Sequence, residues 1–120
     1  MGLNVGVAST EVHALADLAR SPTVAFFEGA RHGGGTELSF YVTAWGPGEG
    51  PGLHLHPYAE VFLVERGRAG FRSGDEELVA DAGHVVVVPP ETAHRFWNSG
   101  DERLEVTSIH PAAKVETTWL

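Results

Sequence analysis

From residue 46 onward, short runs of strand-forming residues are cut at regular intervals by turn residues, and this punctuation limits the possible folds more than any other feature. Gly46-Pro47-Gly48-Glu49-Gly50-Pro51-Gly52 opens the series, and Arg66-Gly67, Ser73-Gly74-Asp75, Ala82-Gly83, Pro89-Pro90 and Ser99-Gly100-Asp101 continue it. Glycine supplies the backbone conformations of tight turns, and proline lacks the donor that a central strand position needs. The runs between them, Val61 to Glu65, Gly70 to Ser73, Glu77 to Asp81, His84 to Val88 and Leu104 to His110, read as strands, and Val115 to Leu120 as a last one. Strands at this spacing form an antiparallel sandwich or barrel. With 120 residues and no internal repeat, the chain is expected to be one domain over 1–120.

The first part of the chain is less regular. Val12, Leu15, Leu18 and Ala19 recur at helical spacing, which predicts a short N-terminal helix over Thr10 to Ala19, capped by Ser9 or Thr10 and ended before Pro22. Val24 to Glu28 reads as a strand, and Gly29 to Gly35, with Arg31 and His32 among its glycines, as a plain connecting loop. Leu38 to Trp45 alternates: Leu38, Phe40, Val42 and Ala44 share one face, Ser39, Tyr41, Thr43 and Trp45 the other. One face must be core. The amphipathic second set suits either a ligand cavity, with Tyr41 in its lining, or a solvent face.

Charge and residue types exclude several functions. Eight basic against sixteen acidic residues leave a net charge of −8, which argues against nucleic acid and against an anionic membrane surface as partners. No apolar segment has the length of a membrane span, and the N-terminus lacks the pattern of a secretory signal or a myristoylation site, so the cytoplasm is the expected location. The chain contains no cysteine, so a metal would be held without thiolate, with Met1 the only sulfur.

Chemistry concentrates in two stretches. In Gly48 to Gly67, His54 and His56 are two apart, so on a strand both rings leave one face with Cα atoms roughly 7 Å apart. Glu60 follows after a short connection from which the next strand can bring its carboxylate alongside. Two imidazoles and a carboxylate suit a borderline first-row ion better than the all-oxygen shell of calcium or the thiolate shell of structural zinc. In Gly83 to Asn98, His94 opens a run after Pro89-Pro90 and offers a fourth ligand. Parity puts Phe96 and Asn98 on the face of His94, and Phe62 and Val64 on the face of Glu60. The ion would then sit in a largely apolar cup lined by Phe62 and Phe96, with Tyr58 near its edge. His13 reads as a surface residue and His84 as a turn-flanking one, while His32 and His110 receive no role.

Together the two stretches resemble the two motifs of the cupin superfamily, in its small single-domain form. A glycine, five residues, H-x-H, three or four residues, a glutamate, six residues and a glycine are matched by Gly48, His54, His56, Glu60 and Gly67 across 48–67. A glycine, five residues, P-x-G, two residues, a histidine, three residues and an asparagine are matched across 83–98 by Gly83, Pro89, His94 and Asn98. Glu91 stands where that family usually has glycine. Because His94 and Asn98 keep their spacing, the turn is expected to be rebuilt with Glu91 in an ordinary backbone conformation, its side chain solvated.

The resemblance implies an all-β, antiparallel jelly-roll barrel holding one divalent transition metal (iron, manganese, nickel, cobalt, zinc or copper) on His54, His56, Glu60 and His94. Four protein ligands leave an octahedral ion with open positions, and Glu60 could alternate between ligand and base. The expected function is metal-dependent chemistry on a small organic molecule, oxygenase-like or isomerase-like, with Glu60 as the candidate catalytic residue. The alternative is a module of the same fold that binds or senses a metabolite without turning it over. A third, purely structural metal is disfavoured by the missing cysteines. Homodimerisation is also expected, because a small open sandwich leaves edges and apolar area to cover, with the segment up to Glu28 contributing.

Overall fold

The computed structural model describes residues 9–120, so Met1 and the start of the proposed dimer segment lie outside the described residues. Among the described residues the chain forms eleven strands, numbered in chain order: β1 (Ala19–Ser21), β2 (Val24–Glu28), β3 (Ser39–Trp45), β4 (His54–Leu55), β5 (Glu60–Arg66), β6 (Arg68–Ser73), β7 (Glu76–Asp81), β8 (His84–Val88), β9 (His94–Asn98), β10 (Leu104–His110) and β11 (Thr118–Trp119). They form two antiparallel sheets, one ordered β1-β2-β3-β10-β5-β8 and the other β11-β4-β9-β6-β7. From β3 onward the chain crosses between the sheets at nearly every connection, β6 and β7 being the exception. This is the jelly-roll arrangement, and the expected all-β class holds.

Alternation decides what lies between the sheets. In β5, β9 and β10 every second side chain is buried, and these supply Phe62, Val64, Phe96, Leu104 and Val106 to a core completed by Ala69, Phe71, Ala80 and Val88. In β3 the Tyr41, Thr43 and Trp45 face is the inner one, the cavity alternative of the two left open by the sequence. Its outer face is covered in part: Phe40 stacks on Phe27 of β2, with ring centroids 5.0 Å apart.

The turns follow their residues. Gly67, between β5 and β6, has φ +83°, and a Cβ there would lie 2.7 Å from the carbonyl oxygen of Arg103, so both conformation and space require glycine. Asn98 ends β9 by donating to the carbonyls of Trp45 (2.9 Å) and Glu102 (2.7 Å) and accepting from the Gly100 amide (2.9 Å). A side chain able to donate twice and accept once explains the amide at this position.

Three expectations are corrected. The N-terminal helix shrinks to a single 3₁₀ turn, Leu15–Leu18, with no side-chain cap. Only Leu18 of its apolar stripe is buried, Val12 is 93% exposed, and from Ala19 the backbone pairs with β2 instead. A ladder partner outweighs helical spacing when the stripe has little to pack against. The loop 29–35 begins with one helical turn, α1 (Gly29–His32), closed by Gly33 and Gly35 amides on the Gly29 carbonyl. Finally, Glu91 has φ +56°, the one non-glycine residue with positive φ among the described residues. Pro89 and Pro90 have no amide to give, so the first donor available to this turn is that of Glu91, which bonds the His56 carbonyl at 2.8 Å. Keeping that bond holds the backbone in the left-handed region. The Glu91 side chain is exposed, as expected.

Candidate metal centre

Three strands bring the chemistry together. His54 lies in β4, directly opposite His94, the first residue of β9; Glu60 opens β5; and His56 sits just beyond β4. One ligand atom from each of His54, His56, Glu60 and His94 lies within 4.8 Å of all the others, and all four residues are buried. The two-residue spacing of the histidines thus places both rings on one face, and the return of β5 brings the carboxylate in.

Each of these imidazoles is oriented by a backbone carbonyl. Nδ1 of His54 lies 2.7 Å from the Gly52 oxygen, Nδ1 of His56 2.6 Å from that of Glu116, and Nδ1 of His94 2.8 Å from that of Thr92. A carbonyl only accepts, so each Nδ1 carries a proton and donates it, leaving an Nε2 lone pair to face inward. Nε2 of His94 is 2.8 Å from Oε1 of Glu60, and Nε2 of His56 is 3.0 Å from the same oxygen. The second approach is short but off-line, and the His56 Nε2 finds no hydrogen-bond partner. Lone pairs from neutral rings facing one buried carboxylate oxygen repel it unless protons or a cation intervene. A divalent ion satisfies all of them at once, so the donor set fits such a group.

Electrostatics follows from the same contacts. Burial alone would raise the Glu60 carboxyl, but the rings of His110, His56 and His94, which favour the carboxylate wherever they carry a proton toward it, outweigh burial and hold the group well below the usual carboxylate range. Burial pushes His54 below its ordinary value. At His56 burial acts in the same sense, yet the neighbouring Glu60 carboxylate and Glu116 carbonyl prevail and raise it. Burial pushes the Tyr58 phenol up to about 12.

A cavity of about 180 Å³ opens beside the cluster, with His54, His56 and Glu60 in its wall. Tyr41, Trp45, Phe96 and Trp119 form most of its aromatic lining, and Thr43, Ser108 and Thr117 give it hydroxyls. Tyr41 and Phe96 are part of this lining. Phe62 and Tyr58 do not line it. Phe62 is 1% exposed and packs edge-on against Phe71 and Phe96, one layer deeper in the core. Tyr58 lies behind His56, its ring parallel at 5.2 Å, and directs its hydroxyl to His110.

His110 is the residue that sequence reasoning missed. It is 2% exposed at the end of β10, with Nε2 3.2 Å from Oε2 of Glu60. Its signal was the alternation of Leu104, Val106, Ser108 and His110, which puts it on the inner face; no motif marks it. His13 and His84 are exposed, and His32 accepts the Glu28 amide at 2.9 Å.

Comparisons with known proteins agree with this architecture. A structure addressing the Mn(II) centres of Bacillus subtilis oxalate decarboxylase aligns with a TM-score of 0.78 at 22% identity, covering 88% of this chain and 31% of the other. The chain thus spans under a third of that enzyme. A Klebsiella pneumoniae protein, uncharacterised and described by its double-stranded β-helix domain, aligns at TM-score 0.71 and 18% identity over 92% of this chain and 97% of its own. At such identities the likeness is one of fold. No curated protein matches the sequence. The model of the cupin domain matches residues 41–110, from the inner face of β3 through both histidine stretches to His110, and the chain belongs to the cupin family.

Proposed function

We propose that this protein is a metal-dependent cupin acting on a small organic molecule, with His54, His56, Glu60 and His94 holding one divalent ion. The observation that carries the reading is the set of three imidazoles, each fixed by a carbonyl at Nδ1 and gathered with one buried carboxylate beside an aromatic cavity, with Nε2 of His56 and of His94 within 3.0 Å of Glu60 Oε1. When bound, such an ion supplies Lewis acidity and, if redox-active, one-electron chemistry. The protein's share is to orient the ligand and exclude water. Trp45, Phe96 and Trp119 would hold an apolar or flat body, and Ser108 and Thr117 would meet its polar edge. Glu60 is the candidate catalytic residue: ionised while it is a ligand, it would act as a base only on leaving the ion.

The lining narrows the ligand. Among the described residues it includes no lysine or arginine, so an anionic group on the ligand would have only the ion to neutralise it. This favours a neutral or monoanionic molecule over a dicarboxylate. The reaction class, oxygenase-like or isomerase-like, is the leading expectation.

Elemental analysis of protein purified without a metal-chelating tag should find one divalent metal per chain. Turnover on a panel of small neutral, monoanionic and dianionic compounds should then favour the first two groups. Ligand binding without turnover would support the sensing module instead, and metal-free protein with no uptake would overturn the reading. A homodimer in the cytoplasm remains part of the proposal. Val85 and Val87 on β8 are 59% and 60% exposed, apolar surface that a second copy would cover, and sedimentation showing only monomer at micromolar concentration would contradict it.

A further inference from the structure

His110 belongs to neither cupin motif, yet it is among the most buried side chains of the molecule and touches the one carboxylate of the cluster. The two Glu60 oxygens have different surroundings. Oε1 faces Nε2 of His94 and His56, whereas Oε2 faces Nε2 of His110. Nδ1 of His110 lies 2.9 Å from the Tyr58 hydroxyl, and that hydroxyl also receives the Glu116 amide at 3.3 Å.

These contacts select a tautomer. His110 lies outside the group of atoms within reach of one ion, so if Nδ1 carried the proton, Nε2 would turn a lone pair on Oε2 with no shared cation between the two acceptors. With the Tyr58 O–H donating to Nδ1, Nε2–H points toward the carboxylate. The 3.2 Å approach is oblique, and Nε2 has no other partner. His110 is thus the reverse of the other three histidines, which give up Nδ1–H and present Nε2 lone pairs.

We infer that His110, set by Tyr58, is a positioning residue that holds Oε2 of Glu60 and leaves Oε1 alone to meet the metal. The inference rests on the metal reading above. Its consequence is a carboxylate that ligates through one oxygen, keeping a further coordination position of the ion available to a substrate. Without the clamp the carboxylate can rotate and engage the ion through both oxygens. Tyr58 acts one step behind, and its stacking on His56 couples the clamp to a second ligand.

Two measurements test this. In the metal-free wild-type protein at neutral pH, imidazole nitrogen chemical shifts should report Nε2–H for His110 and Nδ1–H for His54 and His94. Nδ1–H on His110 would overturn the assignment whether or not any metal binds. The second is Co(II) affinity by chelator competition, read with the visible Co(II) spectrum. Outer-sphere partners of metal ligands are commonly worth about 10- to 100-fold in affinity, so His110→Ala should lose roughly that much and change the spectrum. His110→Gln keeps an N–H donor and should recover most of the affinity and the wild-type spectrum, while Tyr58→Phe should show a smaller loss of the same kind. Unchanged affinity and spectrum in His110→Ala would overturn the proposal. So would equal losses in His110→Ala and His110→Gln, which would mark His110 as packing or as a direct ligand. Wild-type protein that takes up no Co(II) would instead overturn the metal reading itself and the clamp with it.

Discussion

The two halves of the barrel interior are built from the same strands and the same alternation, yet they hold opposite chemistry. Along β10 the inner face runs Leu104, Val106, Ser108, His110; along β5 it runs Val64, Phe62, Glu60; and along β9 Phe96 gives way to His94. All of these side chains are buried. In the apolar half burial itself stabilises the fold, about 25 cal/mol for each Å² removed from water. In the polar half burial costs free energy, and what offsets it is mutual pairing and, on the proposed reading, an ion. One half holds the sheets together so that the other can be held in an arrangement it would not choose alone.

The largest effects should separate the halves. His54→Ala, His56→Ala or His94→Ala should each abolish stoichiometric metal, and with it the stabilisation that metal gives, which is about 4 kcal/mol at a free ion concentration of roughly 1,000 times Kd. The metal-free stability of these variants should change less, because each substitution also removes a buried polar ring. Phe71→Ala, in the apolar half, should do the reverse. It should cost about 3–5 kcal/mol in denaturant unfolding while the folded fraction still takes up one ion. Metal-free His94→Ala unfolding as readily as Phe71→Ala would mean that the halves are not energetically distinct.

A smaller effect is expected from pH, and it too should belong to the polar half. His54 is held below its ordinary value of 6.5, so as pH falls past 6.5 the unfolded chain takes up a proton that the folded one resists, and metal-free stability should decline. Glu60, held below its ordinary 4.5, adds a second decline below that pH. His56 has the opposite sign: its raised value contributes stability below 6.5 that is lost as pH rises through its folded value. Unfolding curves across this range should therefore show His54→Ala with a weaker acid decline and His56→Ala with a steeper one. Phe71→Ala should keep the wild-type shape at a lower level. Identical pH profiles in all of them would remove the electrostatic half of the comparison.

How much of this was legible in the sequence follows the same division. Turn residues and alternation gave the strands and the core face, since both act locally. His54, His56, Glu60 and His94 stood out because spacing and punctuation occur together. His110 did not, because its partner Glu60 is brought to it by the pairing of β10 with β5, a long-range register that no local spacing encodes. Tyr58 departs from the cavity edge expected for it for a related reason. It lies in the connection between β4 and β5, where parity gives no direction, and it turns instead toward His110. The N-terminal stripe misled because helical spacing says nothing of whether a partner surface exists.

Glu91 gives the smallest and most discriminating test, since it lies on the surface yet its backbone ties the two halves of the motif together through the His56 carbonyl. A non-glycine residue at φ +56° carries a strain of about 1 kcal/mol, which glycine relieves. Glycine also gains freedom in the unfolded chain, worth about 0.5–1 kcal/mol in the other direction. The two nearly cancel, so Glu91→Gly should leave unfolding free energy equal or raised by under about 1 kcal/mol, where an ordinary backbone conformation would predict a loss. Glu91→Ala retains the strain and should be no more stable than the wild type, which separates backbone relief from loss of the carboxylate. Because the side chain is exposed and does not line the cavity, Glu91→Gln should alter neither metal content nor ligand affinity. A clear loss of stability in Glu91→Gly would show that the turn relaxes in solution to an ordinary conformation, and the hydrogen bond from the Glu91 amide to the His56 carbonyl would then not be what holds the left-handed backbone.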